Sequence, residues 1–80
     1  MKVNVLGTDY TIIKRKYEVD KNFKEMSCDG YCDSAVKEVV ICDMSTYPNN
    51  SLSSPERNEI IEKQICKHEI VHAFFKAQKR

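Results

Sequence analysis

KHEIVHAFF, residues 67 to 75, is the stretch that decides both the fold and the chemistry of this 80-residue chain. On a helix, residues four positions apart lie on adjacent turns of one face, so His68 and His72 would bring their imidazoles together. Two converging imidazoles supply half of a tetrahedral zinc site. Glu69 is displaced by about 100° from His68, where its carboxylate can accept a proton from an attacking water. The spacing therefore predicts a zinc site formed by His68 and His72, with Glu69 as the general base.

The preceding residues predict that this stretch belongs to one long helix. Ser53 or Ser54 can serve as the N-cap, and Pro55 suits the first helical turn. On a helical wheel the two histidines fall on one inward stripe together with three apolar residues, Ile61, Ile65 and Phe75. The full apolar arc of the helix spans roughly 220°, whereas packing on a single sheet needs about 100°. We therefore expect a second copy, or a segment outside this sequence, to cover the remainder.

The first half of the chain predicts two β-hairpins. Val3 to Leu6 and Tyr10 to Lys14 flank a turn at 7–9, and SCDGYCD and VKEVVIC, at 27–33 and 36–42, form the second pair. Residues 18–25 fit either a loop or a short helix, anchored by Phe23 and Met26, and residues 45–55 form a loop. Strands followed by one long helix predict an α+β fold, with an antiparallel sheet of two N-terminal hairpins packed on that helix. We expect residues 1–80 to form a single domain.

The composition indicates an ordinary soluble protein. Hydrophobic residues make up 41% of the chain, charged residues 31%, and the formal net charge is +1. This balance gives no electrostatic reason to bind nucleic acid or an acidic membrane. The sequence has no apolar run of the roughly 20 residues that a membrane span needs, and no signal peptide. We therefore expect a cytoplasmic protein, whose four cysteines are free thiols because that compartment is reducing.

The motif and its surroundings resemble a known group of proteins. RNEIIEKQICKHEIVHAFF, at 57–75, and GYCDSAVKEVVIC, at 30–42, resemble the small HExxH metallopeptidase-like proteins of phages and mobile elements of low-GC Gram-positive bacteria. These proteins are similar in their core to the ImmA/IrrE and SprT-like zincins. The resemblance implies a minimal zincin core with His68 and His72 as zinc ligands, Glu69 as the catalytic base, and a peptide or protein substrate.

The expected site is incomplete in this sequence. Zincins of this kind supply a third ligand, commonly a glutamate, from another helix downstream, and this sequence stops at Arg80. A catalytic zinc usually has three protein ligands and a water. We therefore expect either a truncated zincin or one completed by oligomerisation through the exposed apolar face of the helix. In either case, zinc would be weakly bound or absent in this form.

Two other functions fit the same residues. In one, Cys28, Cys32, His68 and His72 form a structural zinc site, since Cys-x3-Cys and His-x3-His both have finger-like spacing. Such a site would hold the second hairpin against the helix, with no open position for water and no role for Glu69. In the other, the chain is a metal-free interaction module whose wide apolar arc forms a dimer interface.

Overall fold

The computed structural model describes residues 2–48 and 53–78, and the side chains of the last helix through residue 75. The predicted loop at 45–55 therefore lies partly outside the described residues. Within the described ranges the elements are β1 (Lys2–Val5), β2 (Thr8–Arg15), α1 (Lys21–Glu25), β3 (Gly30–Asp33), β4 (Glu38–Cys42) and α2 (Pro55–Gln78). This order confirms the α+β class and the long C-terminal helix. Neither helix is long and apolar enough, over the described residues, to cross a membrane.

The sheet is mixed, so the prediction of a purely antiparallel sheet was wrong. Its strand order is β1-β2-β4-β3, and both predicted hairpins are present as antiparallel pairs. The central pair, β2 and β4, is parallel, with Ile12 beside Val39. The reason is the connection after β2, which contains α1 and carries the chain past the position of β4 to the outer edge. The chain then forms β3 there, and β4 returns between β3 and β2, parallel to β2.

The central strand β4 forms the middle of the core. Its last four residues, Val39 to Cys42, are all buried, and three of them have no exposed surface. Because successive side chains of a strand point to opposite faces, this uninterrupted apolar run requires cover on both sides of the sheet. One face is covered by α2, which packs on β3 and β4. The other is covered by the segment around α1, where the Phe23 and Tyr31 rings lie 5.8 Å apart. Met26, predicted as a second anchor, is exposed instead.

The start of α2 is fixed by hydrogen bonds at its N-terminus. Ser54 is the N-cap, because its Oγ accepts from the Arg57 N–H at 3.2 Å and its carbonyl accepts from the Asn58 N–H at 2.8 Å. One turn further on, Glu62 accepts from the Met44 N–H at 3.0 Å and from Lys14 Nζ at 3.2 Å. These contacts set the position of α2 over the strands that it covers.

The sheet covers only part of the apolar surface of α2, as the width of the predicted arc indicated. The buried positions follow one line along the helix: Asn58, Ile65, Glu69 and Ala73. Four large apolar side chains of the same helix are exposed: Ile60, Val71, Phe74 and Phe75. A substantial apolar surface of α2 therefore faces away from the described residues.

Candidate metal centre

The two histidines of α2 converge, as their spacing predicts. The Nε2 atoms of His68 and His72 lie 2.9 Å apart, and their ring centroids are separated by 4.5 Å at an interplanar angle of 77°. Two nitrogens that share a tetrahedral zinc at the usual bond length of about 2.05 Å are separated by about 3.3 Å. A small rotation of either ring closes this difference, so the donor pair fits the ion.

A carboxylate completes the cluster. The ligand atoms of His68, Glu69 and His72 all lie within 4.8 Å of one another. Among the described residues, this is the group of three or more histidine, cysteine or acidic side chains whose atoms could hold one metal ion. The two imidazole nitrogens are donors that zinc accepts, and the carboxylate lies beside them. The structure thus brings the three residues of the motif together.

The two histidines do not lie on the inward stripe that was predicted for them. Both histidines are exposed, whereas Glu69 is buried with 9% of its surface accessible. The direction facing the sheet passes through Ile65, Glu69 and Ala73, about 80° around the helix from the histidines. The histidines therefore lie at the border between the packed face of α2 and solvent, not on an inward stripe.

A close approach between α2 and the edge strand β3 places Glu69 beside the first residue of that strand. A Cβ atom built on Gly30 would lie 2.5 Å from Ile65 Cγ2, 3.2 Å from the Val40 carbonyl oxygen and 3.6 Å from Glu69 Cγ. The first distance is far inside van der Waals contact, so any larger residue would separate the helix from the strand. Gly30 therefore lets the helix lie close enough for Glu69 to reach the start of β3.

The site opens into a cleft between α2 and the start of β3. The cleft has a volume of about 260 Å³ and is lined by Asp29, Ile61, Gln64, Ile65, His68 and Glu69. The sequence placed Asp29 in the second hairpin and gave it no role in the site. Its place beside the histidines depends on the packing of β3 against α2, which no local pattern in the sequence reveals.

The cysteines that could form a structural zinc site do not join the histidines. Cys28 and Cys32 are outside the cluster of His68, Glu69 and His72, and neither forms a disulfide. The Cys28 thiol donates to the Asn22 carbonyl of α1 at 3.8 Å. Burial raises the pKa of this thiol. A hydrogen bond from the Gly30 N–H lowers the pKa, but the negative charges of Asp29 and Glu69 raise it, and the net shift is upward. Cys28 is thus held as a neutral thiol near α1.

Comparisons with known proteins identify no relative: no family model matches the chain, and no curated protein or solved structure matches it. The resemblance to the HExxH metallopeptidase-like proteins therefore stays a prediction from the motif residues. Function has to be inferred from the donor atoms, burial and charges of the site itself.

Proposed function

We propose that this chain is a zinc-dependent peptide hydrolase whose reaction centre is His68, Glu69 and His72. The observation that carries the proposal is the convergence of the two Nε2 atoms, 2.9 Å apart, next to a carboxylate in a cleft. Two histidines and one glutamate in this arrangement divide naturally into two metal donors and one proton carrier. The proposed class is water-mediated hydrolysis of an amide bond.

The histidines act as neutral donors through Nε2. In the absence of a metal, one Nε2–H can donate to the other Nε2, which fits their separation of 2.9 Å. This hydrogen bond keeps both rings directed at a common point, so little side-chain entropy remains to be lost on binding. When bound, zinc polarises a carbonyl oxygen and lowers the pKa of a water molecule.

Glu69 carries the proton during hydrolysis. Its carboxylate accepts a proton from the water whose oxygen attacks the peptide carbonyl carbon, and later returns it to the leaving amine nitrogen as the C–N bond breaks. Packing against Ile65 and Gly30 holds the stem of Glu69 in place, since its Cγ lies near the position of the missing Gly30 Cβ. A buried stem with its head at a cleft orients the carboxylate better than a freely exposed glutamate would.

The edge of the sheet offers a place for an extended peptide. β3 is an edge strand of the described sheet, and α2 packs beside it. An edge strand presents unpaired backbone N–H and C=O groups that an extended segment can join by β-augmentation. A peptide bound there would pass the start of β3, next to the cleft that contains Glu69. The substrate class that fits is therefore an extended peptide or an unfolded segment of a protein.

Zinc affinity should be modest, because the described residues supply two imidazoles where a catalytic zinc usually has three protein ligands. Both histidines are exposed, so the protein excludes little water from the ion and does little to strengthen the zinc–nitrogen bonds. This is consistent with a site that loads only when zinc is plentiful or when another ligand joins it.

The test separates metal binding from hydrolysis. Zinc content and peptide cleavage are measured for the wild type, Glu69→Gln, His72→Ala and the control Lys67→Ala, an exposed neighbour in the same helix. Cleavage is followed by mass spectrometry on an unfolded protein substrate. We expect Glu69→Gln to retain zinc and lose cleavage, His72→Ala to lose both, and Lys67→Ala to lose neither. Cleavage that persists in Glu69→Gln would refute the proposed role of the carboxylate.

A metal-free interaction module is the second candidate, favoured by the exposed apolar side chains of α2. It predicts self-association that is indifferent to zinc and unaffected by His72→Ala. Self-association without zinc and without cleavage would favour the interaction module, whereas zinc-dependent cleavage would favour the hydrolase.

A further inference from the structure

Between positions 61 and 75, the two histidines sit on a side of α2 that carries no charged residue. Six residues within an arc of about 100° form this side, here called the histidine stripe: Ile61, Gln64, His68, Val71, His72 and Phe75. The histidines are exposed, and so are Val71 and Phe75, at 51% and 56%. Exposed metal donors set among uncharged and apolar side chains are suited to contact with another surface rather than to solvent alone.

The ligand count indicates what that surface is. One chain offers two converging imidazoles in its described residues, and tetrahedral zinc binds four donors. A twofold axis beside α2 would bring the same two donors from a second chain, which supplies four imidazoles without any further residue type. We propose that a second copy of this chain completes the site, so that His68 and His72 of both copies hold a single zinc ion.

The rest of the histidine stripe favours the same partner. An isologous contact places each patch against its own copy, so a patch rich in charge would repel itself. The stripe contains no charged residue between positions 61 and 75, and the whole chain has a formal charge of only +1. Association also removes exposed parts of Val71 and Phe75 from water, which adds a hydrophobic contribution to the metal bonds.

A zinc ion held by four imidazoles has no open position for water. The zinc-bridged dimer is therefore a closed form, and hydrolysis requires the single chain with its cleft accessible. This inference rests on the proposed binding of zinc by the two histidines but not on the proposed hydrolysis. His68 and His72 thereby gain a regulatory role. When the protein is in excess over zinc, the ion is bound in an inactive dimer.

The ratio of zinc to protein gives a distinctive test. Sedimentation velocity of the whole chain is recorded while zinc is added from none to an excess, and again with a chelator. We expect the dimer to reach its maximum at half an equivalent of zinc per chain. Beyond that ratio the dimer should decline, because each chain can then take an ion of its own. A chain that stays monomeric at every ratio, or a dimer that survives the chelator, would overturn the proposal.

Two variants and a control keep the test independent of folding. His72→Ala should abolish the zinc-dependent dimer. Val71→Lys should weaken it by about tenfold or more, because like charges would meet across the axis, while the chain still binds zinc. Val36→Lys is the matched control, since Val36 is also more than half exposed but lies in the β3–β4 connection, and it should dimerise as the wild type does. An unchanged dimer in Val71→Lys would exclude the histidine stripe as the interface.

Glu69→Gln separates this inference from the hydrolase proposal. It should dimerise with zinc as the wild type does, because Glu69 contributes no donor to the four-imidazole site. A zinc-dependent dimer without any cleavage activity would refute the hydrolase and leave the dimer standing. Cleavage by a chain that never dimerises would refute the dimer and leave the hydrolase standing.

Discussion

Replacing Gly30 with alanine tests how closely α2 and β3 must approach. The added Cβ would lie 2.5 Å from Ile65 Cγ2 and 3.2 Å from the Val40 carbonyl oxygen. Carbon atoms in contact are normally about 3.5 to 4.0 Å apart, so the overlap with the isoleucine methyl exceeds about 1 Å. That methyl is attached directly to Cβ of Ile65, whose χ1 is nearly fixed in a helix, so it cannot turn away cheaply. The helix itself must move.

Overpacking of this kind costs about 1 to 3 kcal/mol. The smaller backbone entropy of unfolded alanine returns about 0.4 to 1 kcal/mol, so the net loss of unfolding free energy should be about 1 to 2 kcal/mol. The total free energy of unfolding of an 80-residue domain is roughly 4 to 12 kcal/mol. We therefore expect Tm to fall by about 5 to 15 °C. Urea and thermal unfolding followed by far-UV circular dichroism measure both quantities.

A double-mutant cycle locates the cause. Ile65→Leu moves the branch away from Cβ and removes the atom that the new Cβ would meet. In that background Gly30→Ala should cost less than half of its effect in the wild type. A Gly30→Ala variant as stable as the wild type, or an equal cost in both backgrounds, would refute the close approach inferred between α2 and β3.

Two further predictions concern groups away from the metal centre. Burial acts to raise the pKa of Asp20, but hydrogen bonds from Tyr31, the Asn22 N–H and Arg15 outweigh it and hold the pKa below its ordinary value. The stability this provides is complete above the unfolded pKa of about 3.9 and is lost as pH falls through the lower folded value. Asp20→Asn should thus be less stable than the wild type by about 2 kcal/mol at pH 7, measured by urea unfolding. This difference should shrink below about pH 4. A difference that stays constant with pH would contradict the lowered pKa of Asp20. Burial also raises the pKa of Cys42 to about 11, so its thiol should resist iodoacetamide at pH 8 until the chain is unfolded in urea. Peptide mass spectrometry measures the labelling, and rapid labelling of native Cys42 would contradict its burial.

The elements that sequence predicted well are those determined by neighbouring residues. Leu6 and Gly7 both adopt positive φ in a two-residue turn, with values of 50° and 85°, and the apolar residues on either side form the first hairpin. The turn is shifted from the predicted 7–9, since Thr8 already belongs to β2. The cap at Ser54 and the helix after it follow from equally local signals.

The parallel pairing of β2 and β4 was not predictable in the same way, because it depends on where the chain goes between them. The unbroken run from Val39 to Cys42 did contain a signal of burial on both faces, which is typical of a parallel strand. Pairing partners are nevertheless chosen by the crossover through α1, and nothing local to β2 or β4 specifies it.

The facing direction of α2 was predicted wrongly for a different reason. An apolar arc of roughly 220° leaves the centre of the packed face undetermined. Small residues decide which face of α2 packs on the sheet. Ala73 of the helix is fully buried, and Gly30 of β3 allows Ile65 of the helix to approach closely. The side chains with the least apolar surface thus mark the closest packing, which places Glu69 inside and the histidines at the border.

The central claim is that His68 and His72 form one metal-binding pair, and zinc titration calorimetry of the metal-free protein tests it most directly. The wild type should bind zinc with the release of heat. His68→Ala and His72→Ala should each lose affinity by at least about tenfold, while Cys28→Ser combined with Cys32→Ser should bind as the wild type does. Equal affinity in the wild type and both histidine variants would contradict the claim, as would binding that disappears only when the cysteines are replaced.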